Sequence, residues 1–129
     1  MSDSLYLDTC AVIWLAEGSR RLRTSLKRKI DEAPRVFVSA ISAWEVSLKA
    51  VRGDLELPMK PEEWFPEVLD QHGLEFSSLT PEVLMSANRL PWHHRDPADR
   101  FIIADARIKR ASIVTSDEKF DPYPVEVVF

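Results

Sequence analysis

Four acidic residues lie at positions where an α/β protein commonly gathers its chemistry. Two of them follow predicted strands and two lie in the early turns of predicted helices: Asp8, Glu45, Asp99 and Asp117. Carboxylates about 4 Å apart repel each other by ~4 kcal/mol at an effective dielectric constant of about 20, so a cluster needs protons or hard divalent cations. Ligands that are all oxygen favour Mg²⁺ or Mn²⁺ over Zn²⁺. The pattern therefore predicts a metal centre that activates water and stabilises charge on a phosphodiester.

The elements that must position these acids alternate along the chain. Apolar runs predict strands at 5–7, 36–38, 74–79, 113–115 and, at the edge of the sheet, 125–128. Periodic patterns predict six helices. Their expected ranges are 11–17, then from a cap at Ser19 to Ile30, then from the end of strand two to Arg52, then 62–72 with a disturbance at Pro66, then from Pro81 to 89, and last from Pro97 to 111. Strands separated by helices imply right-handed crossovers and a parallel sheet covered on both faces.

This order predicts a single α/β domain over residues 1–129, a three-layer α/β/α sandwich with a mostly parallel five-stranded sheet. Binding sites in such sheets form at the carboxyl ends of the strands, near the topological switch point. Three of the four acids are placed at that edge by their strands. Asp99 joins them if its helix runs antiparallel to the fourth strand.

Each acid also has a purely structural interpretation. Asp8 can cap a helix, Asp117 can be a turn residue, and Ser42 with Glu45 has the spacing of a capping box. Asp96 competes with Asp99 for the third place in the cluster, and both fit the first turn of a helix. Four independent caps have no reason to converge on one cleft, which favours the metal site.

Several neighbouring residues are candidates to support the site. The hydroxyls of Thr9, Thr115 and Ser116 can orient carboxylates or water, or can satisfy backbone groups at strand ends. Asp96 is the remaining candidate for such a supporting role. His93 and His94 are interpreted as loop residues near the entrance to the site rather than as metal ligands, because adjacent side chains point apart. Cys10 is interpreted as a small buried residue.

Helical spacing makes predictions for the tryptophans as well. In the helix after strand two, Ile41, Trp44, Leu48 and Val51 are predicted to face inward. Trp92 lies in a proline-flanked loop and is a candidate to stack on a nucleobase.

The composition points to an ordinary globular protein of a reducing compartment. Hydrophobic residues make up 45% of the chain, and its apolar stretches are far too short for a membrane span. The start of the chain, residues 1–4, has neither the basic nor the apolar segment of a signal peptide. A single cysteine excludes an internal disulfide. We therefore expect a cytoplasmic protein that does not enter a membrane.

The net charge of −4 hides one basic segment. Six of the 17 basic residues lie between positions 20 and 29, without an acid among them. On one helix, Arg20, Arg23 and Lys27 would share a face and could contact RNA phosphates or a protein partner. A solvated helix face is the alternative interpretation.

Four segments together resemble the PIN-domain family and, within it, the VapC toxins of toxin–antitoxin pairs. They are LDTCAVIW at 7–14, VSAISAWEV at 38–46, HRDPADRFIIA at 94–104 and VTSDEKF at 114–120. The resemblance implies an α/β/α sandwich and an endoribonuclease with an acidic quartet of Asp8, Glu45, Asp99 and Asp117 that binds Mg²⁺ or Mn²⁺. It also implies a homodimer and a small cognate antitoxin that blocks the site. Ala98 stands where the family commonly has a bulkier residue.

Other functions fit the sequence less well. A phosphatase with Asp8 as nucleophile would need a second aspartate where Cys10 stands. A receiver-like acidic pocket would pair acids at the end of strand one, where Leu7 precedes Asp8. A housekeeping PIN nuclease and a PIN domain that binds RNA without cutting it remain alternatives.

Overall fold

The computed structural model describes residues 3–129, so Met1 and Ser2 of the predicted domain lie outside the described residues. Five strands form one parallel sheet in the order β3-β2-β1-β4-β5. Their bounds are β1 Leu5–Leu7, β2 Val36–Ser39, β3 Glu75–Ser77, β4 Ser112–Val114 and β5 Val127–Val128. The predicted α/β class and the edge position of the last strand are confirmed. The sheet is wholly parallel.

Six α-helices connect the strands. They are α1 Thr9–Glu17, α2 Thr24–Glu32, α3 Ala40–Val51, α4 Pro61–His72, α5 Pro81–Asn88 and α6 Pro97–Lys109. Helix α4 continues through Pro66, which lies on its exposed side, so the predicted disturbance does not end the helix. No helix among residues 3–129 is both long and apolar enough to span a bilayer.

The sheet separates two hydrophobic cores. Alternation along β1 sends Leu5 and Leu7 to one face and Tyr6 to the other. Buried residues of α1 to α4 pack on the first face, and buried residues of α5 and α6 pack on the second. The result is the predicted three-layer sandwich.

The basic segment differs from its prediction. Ser19 does not cap a helix, since its hydroxyl accepts a hydrogen bond from the Arg21 N–H in a turn and α2 begins only at Thr24. Arg23 is the N-cap residue and Arg20 precedes it, so the prediction that both share a helical face with Lys27 is wrong. The apolar spacing misled because Leu22 is completely buried as an anchor of this turn rather than as part of the helix.

Helix α3 also differs from its prediction in the residues that it buries. Trp44 is 59% exposed and Val51 is 82% exposed, whereas Ser42 and Val46 are buried. The inward prediction is therefore wrong for Trp44 and Val51, whereas Ile41 is partly buried against the second core and Leu48 is partly buried. Short side chains allow α3 to lie close to α1, where the Ser42 and Thr9 hydroxyls are 2.9 Å apart, and the large apolar residues remain toward the outside.

Candidate active site

Asp8 occupies the carboxyl end of the central strand. It is the N-cap of α1, and its Oδ1 accepts a hydrogen bond of 2.8 Å from the Ala11 N–H. The side chain of Thr115, at the end of the adjacent strand β4, hydrogen-bonds to the same carboxylate. The pKa of Asp8 is nevertheless raised to about 6. Burial is the largest cause, the charges of Asp117 and Glu45 add to it, and the two hydrogen bonds oppose it. The capping interpretation of Asp8 is confirmed, and its role in a metal site stays a prediction.

Glu45 approaches Asp8 from α3. The Thr9 hydroxyl donates to Glu45 Oε1, so Ser42, buried beneath it, must donate its own proton to Thr9. Ser42 and Glu45 form no capping box, because Ser39 caps α3 by accepting from the Ile41 N–H at 3.1 Å. Burial raises the pKa of Glu45, and the Thr9 hydrogen bond lowers it. The Thr9 hydroxyl thus contacts one of the predicted site carboxylates, and its supporting role stays a prediction.

The start of α6 supplies Asp96 and Asp99. Because β4 follows α6 at the amino edge of the sheet, α6 runs antiparallel to the strands and begins at the carboxyl edge, as predicted. Asp96 is its N-cap and accepts from the Ala98 and Asp99 N–H groups at 3.0 and 3.3 Å. Asp99 projects toward the other acids, and its pKa is raised to about 7. Burial is the largest cause, and the charge of Asp96 is the second. Asp96 is therefore the cap of α6, and its charge also raises the pKa of Asp99 and of Glu45. The place of Asp99 in the metal site stays a prediction.

Asp117 lies further out than the other acids. It is exposed, and its Oδ1 accepts from the Lys119 N–H at 3.0 Å at the start of a short 3-10 helix, Glu118–Phe120. Its own N–H donates to Thr115 Oγ1 at 3.1 Å, which links it to the hydroxyl that contacts Asp8. Ser116 is exposed, and the structure gives its side chain no hydrogen bond to another described residue.

We call Asp8, Glu45, Asp99 and Asp117 the acidic cluster. Its members act on one another electrostatically: the charges of the other three all raise the pKa of Asp99. Within residues 3–129 none of the four forms a salt bridge. As these residues are placed, no three His, Cys, Asp or Glu side chains of the described chain enclose a metal ion. The cluster is thus not a preformed metal cage, although its all-carboxylate donors fit a hard divalent cation.

The loop before α6 is held by a residue that sequence reasoning missed. The guanidinium of Arg100 is buried and donates to the carbonyl oxygens of Ala87, Leu90 and Pro91 at 2.6, 3.0 and 2.9 Å. Trp92 covers it, with the ring centroid 3.6 Å from Arg100 Cζ. The only sequence signal for the role of Arg100 was its position directly after Asp99. An arginine at that position is equally compatible with an exposed helix face, so the sequence did not predict its burial.

The histidines and the cysteine also have defined positions. His93 and His94 pack edge-on against the ring of Tyr123, with centroids 5.0 and 5.1 Å away, which joins the loop before α6 to the loop after Asp117. They are loop residues, as predicted. Cys10 is exposed, so its prediction as a buried residue was wrong; at this position of α1 its side chain points away from the core. Although Cys10 is exposed, neighbouring groups remove part of the water around its thiol, and this desolvation and the charge of Asp8 raise the pKa of the thiol.

These features define a parallel α/β protein with an acidic site at the switch point between β1 and β4. A family model for the PIN domain matches residues 5–125, and the chain belongs to that family. It is 28% identical over 129 residues to ribonuclease VapC22 of Mycobacterium tuberculosis, an alignment that covers 96% of this chain and 98% of that protein.

Solved structures resemble this fold over nearly the whole chain. The VapBC2 complex of Rickettsia felis, bound to a DNA fragment of its promoter, has a TM-score of 0.73 and 14% identity and covers 97% of both chains. A toxin–antitoxin complex from Klebsiella pneumoniae has a TM-score of 0.69 and 19% identity, covering 97% of this chain and 96% of that one. At these identities the structures establish the fold. The family model confirms the predicted membership of the PIN-domain family.

Proposed function

We propose that this chain is a Mg²⁺- or Mn²⁺-dependent endoribonuclease that hydrolyses RNA phosphodiester bonds as the toxin of a toxin–antitoxin pair. The observation that carries the proposal is the acidic cluster, a group of mutually repelling carboxylates at the carboxyl edge of the sheet without a salt-bridge partner among the described residues. The PIN family membership and the similarity to a protein named ribonuclease VapC22 support the same activity.

The carboxylates Asp8, Glu45, Asp99 and Asp117 would hold the cation. When bound, it would supply a positive charge that stabilises a phosphodiester in transition and makes water a better nucleophile at neutral pH. The oxygen ligands and the repulsion among them fit Mg²⁺ or Mn²⁺ better than Zn²⁺.

The chain's own hydrogen bonds keep these ligands oriented. The Ala11 N–H and the Thr115 side chain hold Asp8, and the Thr9 hydroxyl holds one oxygen of Glu45. Asp96 fixes the start of α6, from which Asp99 projects. Groups positioned in this way lose little orientational freedom when substrate binds, which is a main source of rate acceleration.

A chelator experiment tests the proposal directly. Purified protein should cleave single-stranded or loop RNA in Mg²⁺ or Mn²⁺, and excess EDTA should abolish the cleavage. Restoring the divalent cation should restore it. Full cleavage in excess EDTA would exclude a metal-dependent mechanism.

We further propose a small cognate antitoxin and a homodimer as the partners of the chain. The similar solved structures are named as toxin–antitoxin complexes. A short reading frame immediately upstream of the gene would favour this role over that of a housekeeping nuclease. If the purified protein binds RNA but does not cut it in any divalent cation, a catalytically silent PIN domain becomes the better assignment.

The basic segment remains a proposed contact for RNA or the antitoxin. Arg20 and Arg23 are exposed, and Arg23 Cζ lies 5.8 Å from the ring of Phe129. Replacing Arg20, Arg23 and Lys27 by Glu should weaken RNA binding and flatten its dependence on salt if they contact phosphates. Unchanged RNA and antitoxin affinities would leave the segment as a solvated surface.

A further inference from the structure

An apolar pocket opens between α3 and α6, beside the acidic cluster. Its volume is about 570 Å³, within the range of pockets that take small organic groups. Apolar side chains form most of the lining, together with two carboxylates: Ile41, Trp44, Pro97, Ala98, Phe101, Glu45 and Asp96. The pocket therefore shares Glu45 with the acidic cluster and Asp96 with the helix start that presents Asp99.

Trp44 is the unusual member of this lining. It is 59% exposed, and it makes no aromatic or cation–π contact with the other described residues. Trp92 is similarly exposed, at 62%, but one face of its ring lies on the guanidinium of Arg100. Packing within the chain accounts for Trp92 and leaves the exposure of Trp44 unexplained, and exposed apolar side chains that form a patch commonly mark a binding surface.

We propose that this pocket receives a nucleobase of the RNA substrate adjacent to the cleaved phosphodiester, with the indole of Trp44 as its stacking surface. The proposal rests on the proposed nuclease function, because a phosphate held at the acidic cluster brings the base of a neighbouring nucleotide within reach of Glu45, which the cluster and the pocket share. Aromatic rings stack on any base, so the pocket would position single-stranded RNA more than it selects sequence. Bases with N–H donors could in addition bond to the carboxylate of Glu45 or Asp96.

The charges on the pocket wall favour a base over a second copy of this chain. A symmetric contact between two copies uses the same patch on both, so it would bring two sets of Glu45 and Asp96 into one desolvated interface. Like charges in such an interface are costly. A nucleobase is neutral and its N–H groups complement the carboxylates, so it meets no such penalty.

The test combines a protein variant with a change in the RNA. The probe is a labelled single-stranded RNA of about 12 nucleotides, within the usual site size for such RNA, in which each base in turn is removed to leave an abasic nucleotide. Affinity is measured by fluorescence anisotropy in Ca²⁺, a hard cation that takes the same oxygen ligands. In the wild type, one abasic position should weaken binding about 5- to 150-fold, the effect of losing one base stacked on an aromatic ring.

The variant Trp44→Leu should lose a similar factor with the unmodified RNA and lose nothing further at that abasic position. The matched control is Phe76→Leu, which removes an aromatic ring that is 52% exposed and does not line the pocket, and which should retain the full abasic penalty. Melting curves of both variants establish that they are folded. A full abasic penalty in Trp44→Leu, or wild-type affinity of this variant for unmodified RNA, overturns the proposal.

Two further measurements identify a different occupant. If Trp44→Leu converts a dimer to a monomer in sedimentation while RNA affinity is unchanged, a second copy covers the pocket and the proposal is wrong. A loss of antitoxin affinity alone would overturn it in favour of a protein ligand. Cleavage by the wild type in Mg²⁺ is scored separately, so RNA that is bound with an abasic penalty but not cut contradicts the nuclease function and not the base pocket.

Discussion

The chain buries carboxylates in two places, and it treats them differently. Asp105, in the middle of α6, is completely buried and accepts hydrogen bonds from the hydroxyls of Tyr6 and Ser77, while Lys109 Nζ lies 3.3 Å from its other oxygen. The acidic cluster is less deeply buried, yet none of its members has a salt bridge within the described residues.

We propose that this difference separates a structural carboxylate from a functional one. A buried charge is tolerated when donors and an opposite charge complete its shell, as they do at Asp105. In the acidic cluster, burial and mutual repulsion instead raise the pKa of Asp8 to about 6 and that of Asp99 to about 7. Bound protons or a cation can relieve this repulsion, and we propose that at neutral pH a cation does so.

The largest expected effect concerns cleavage. Asp99→Asn should lower RNA cleavage in Mg²⁺ about a hundredfold or more, because it removes a charge that we propose to hold the cation, and single electrostatic contacts in active sites have effects of this size. The comparison residue is Asp105, at which Asp105→Asn should retain cleavage at a temperature where the variant is folded. Equal losses in the two variants would mean that Asp99 acts only through the fold.

The second expected effect is stabilisation by metal. Mg²⁺ or Mn²⁺ at a hundred times its dissociation constant should stabilise the wild type by ~2.7 kcal/mol. Asp99→Asn should gain much less, whereas Asp105→Asn should gain as much as the wild type. Thermal melts with EDTA and with each cation measure this. A wild-type melting temperature that does not move at millimolar cation would remove the physical basis of the shared site.

The third effect is on stability without metal. Asp105→Asn should destabilise the fold by about 1–3 kcal/mol, because the buried negative charge is lost and, if the amide oxygen keeps both hydroxyl hydrogen bonds, the amide NH2 faces the Lys109 ammonium, donor against donor. Asp99→Asn should instead leave stability unchanged or raise it, since a repelling charge is lost. Urea unfolding in EDTA distinguishes them, with the exposed Asp70→Asn as control. Destabilisation of the same size at both sites would contradict the proposed difference between Asp105 and the acidic cluster.

The smallest effect is a dependence on pH in EDTA. The folded pKa values of Asp8 and Asp99 lie above their ordinary value of 3.8, so the folded state holds these protons more tightly than the unfolded state. Their contribution to stability is therefore lost as the pH rises from about 4 to about 7. The melting temperature of the wild type should fall by a few degrees relative to the variant Asp8→Asn with Asp99→Asn over that interval. If the melting temperatures of the two proteins change with pH in parallel, the pKa values of Asp8 and Asp99 are not raised in the folded state.

The elements with strong local signals were predicted well. Asp96 and Pro97 mark the start of α6 because an aspartate cap and a proline in the first turn suit only a helix start. The β1 strand and the cap at Asp8 were equally clear. The antiparallel run of α6, and with it the place of Asp99, followed from the order of strands and helices.

Predictions failed where apolar spacing alone decided them. Trp44 and Val51 have helical spacing, but the face of α3 that packs inward carries Ser42 and Val46. Leu22 is buried in a turn, so the helix predicted from Ser19 begins only at Thr24. Spacing shows which residues share a face but not which of two faces the rest of the protein covers.

By itself the sequence determined the alternation of strands and helices, the capping residues and the types of residue that follow each strand, since these depend on interactions between near neighbours in the chain. Only the tertiary structure decided which carboxylates receive donors. Tyr6 and Asp105 meet although 99 positions separate them, and Thr9 reaches Glu45 across 36. Whether a buried acid is neutralised within the chain or left to bind a cation depends on such distant partners, because a charge is stabilised by the atoms around it in space.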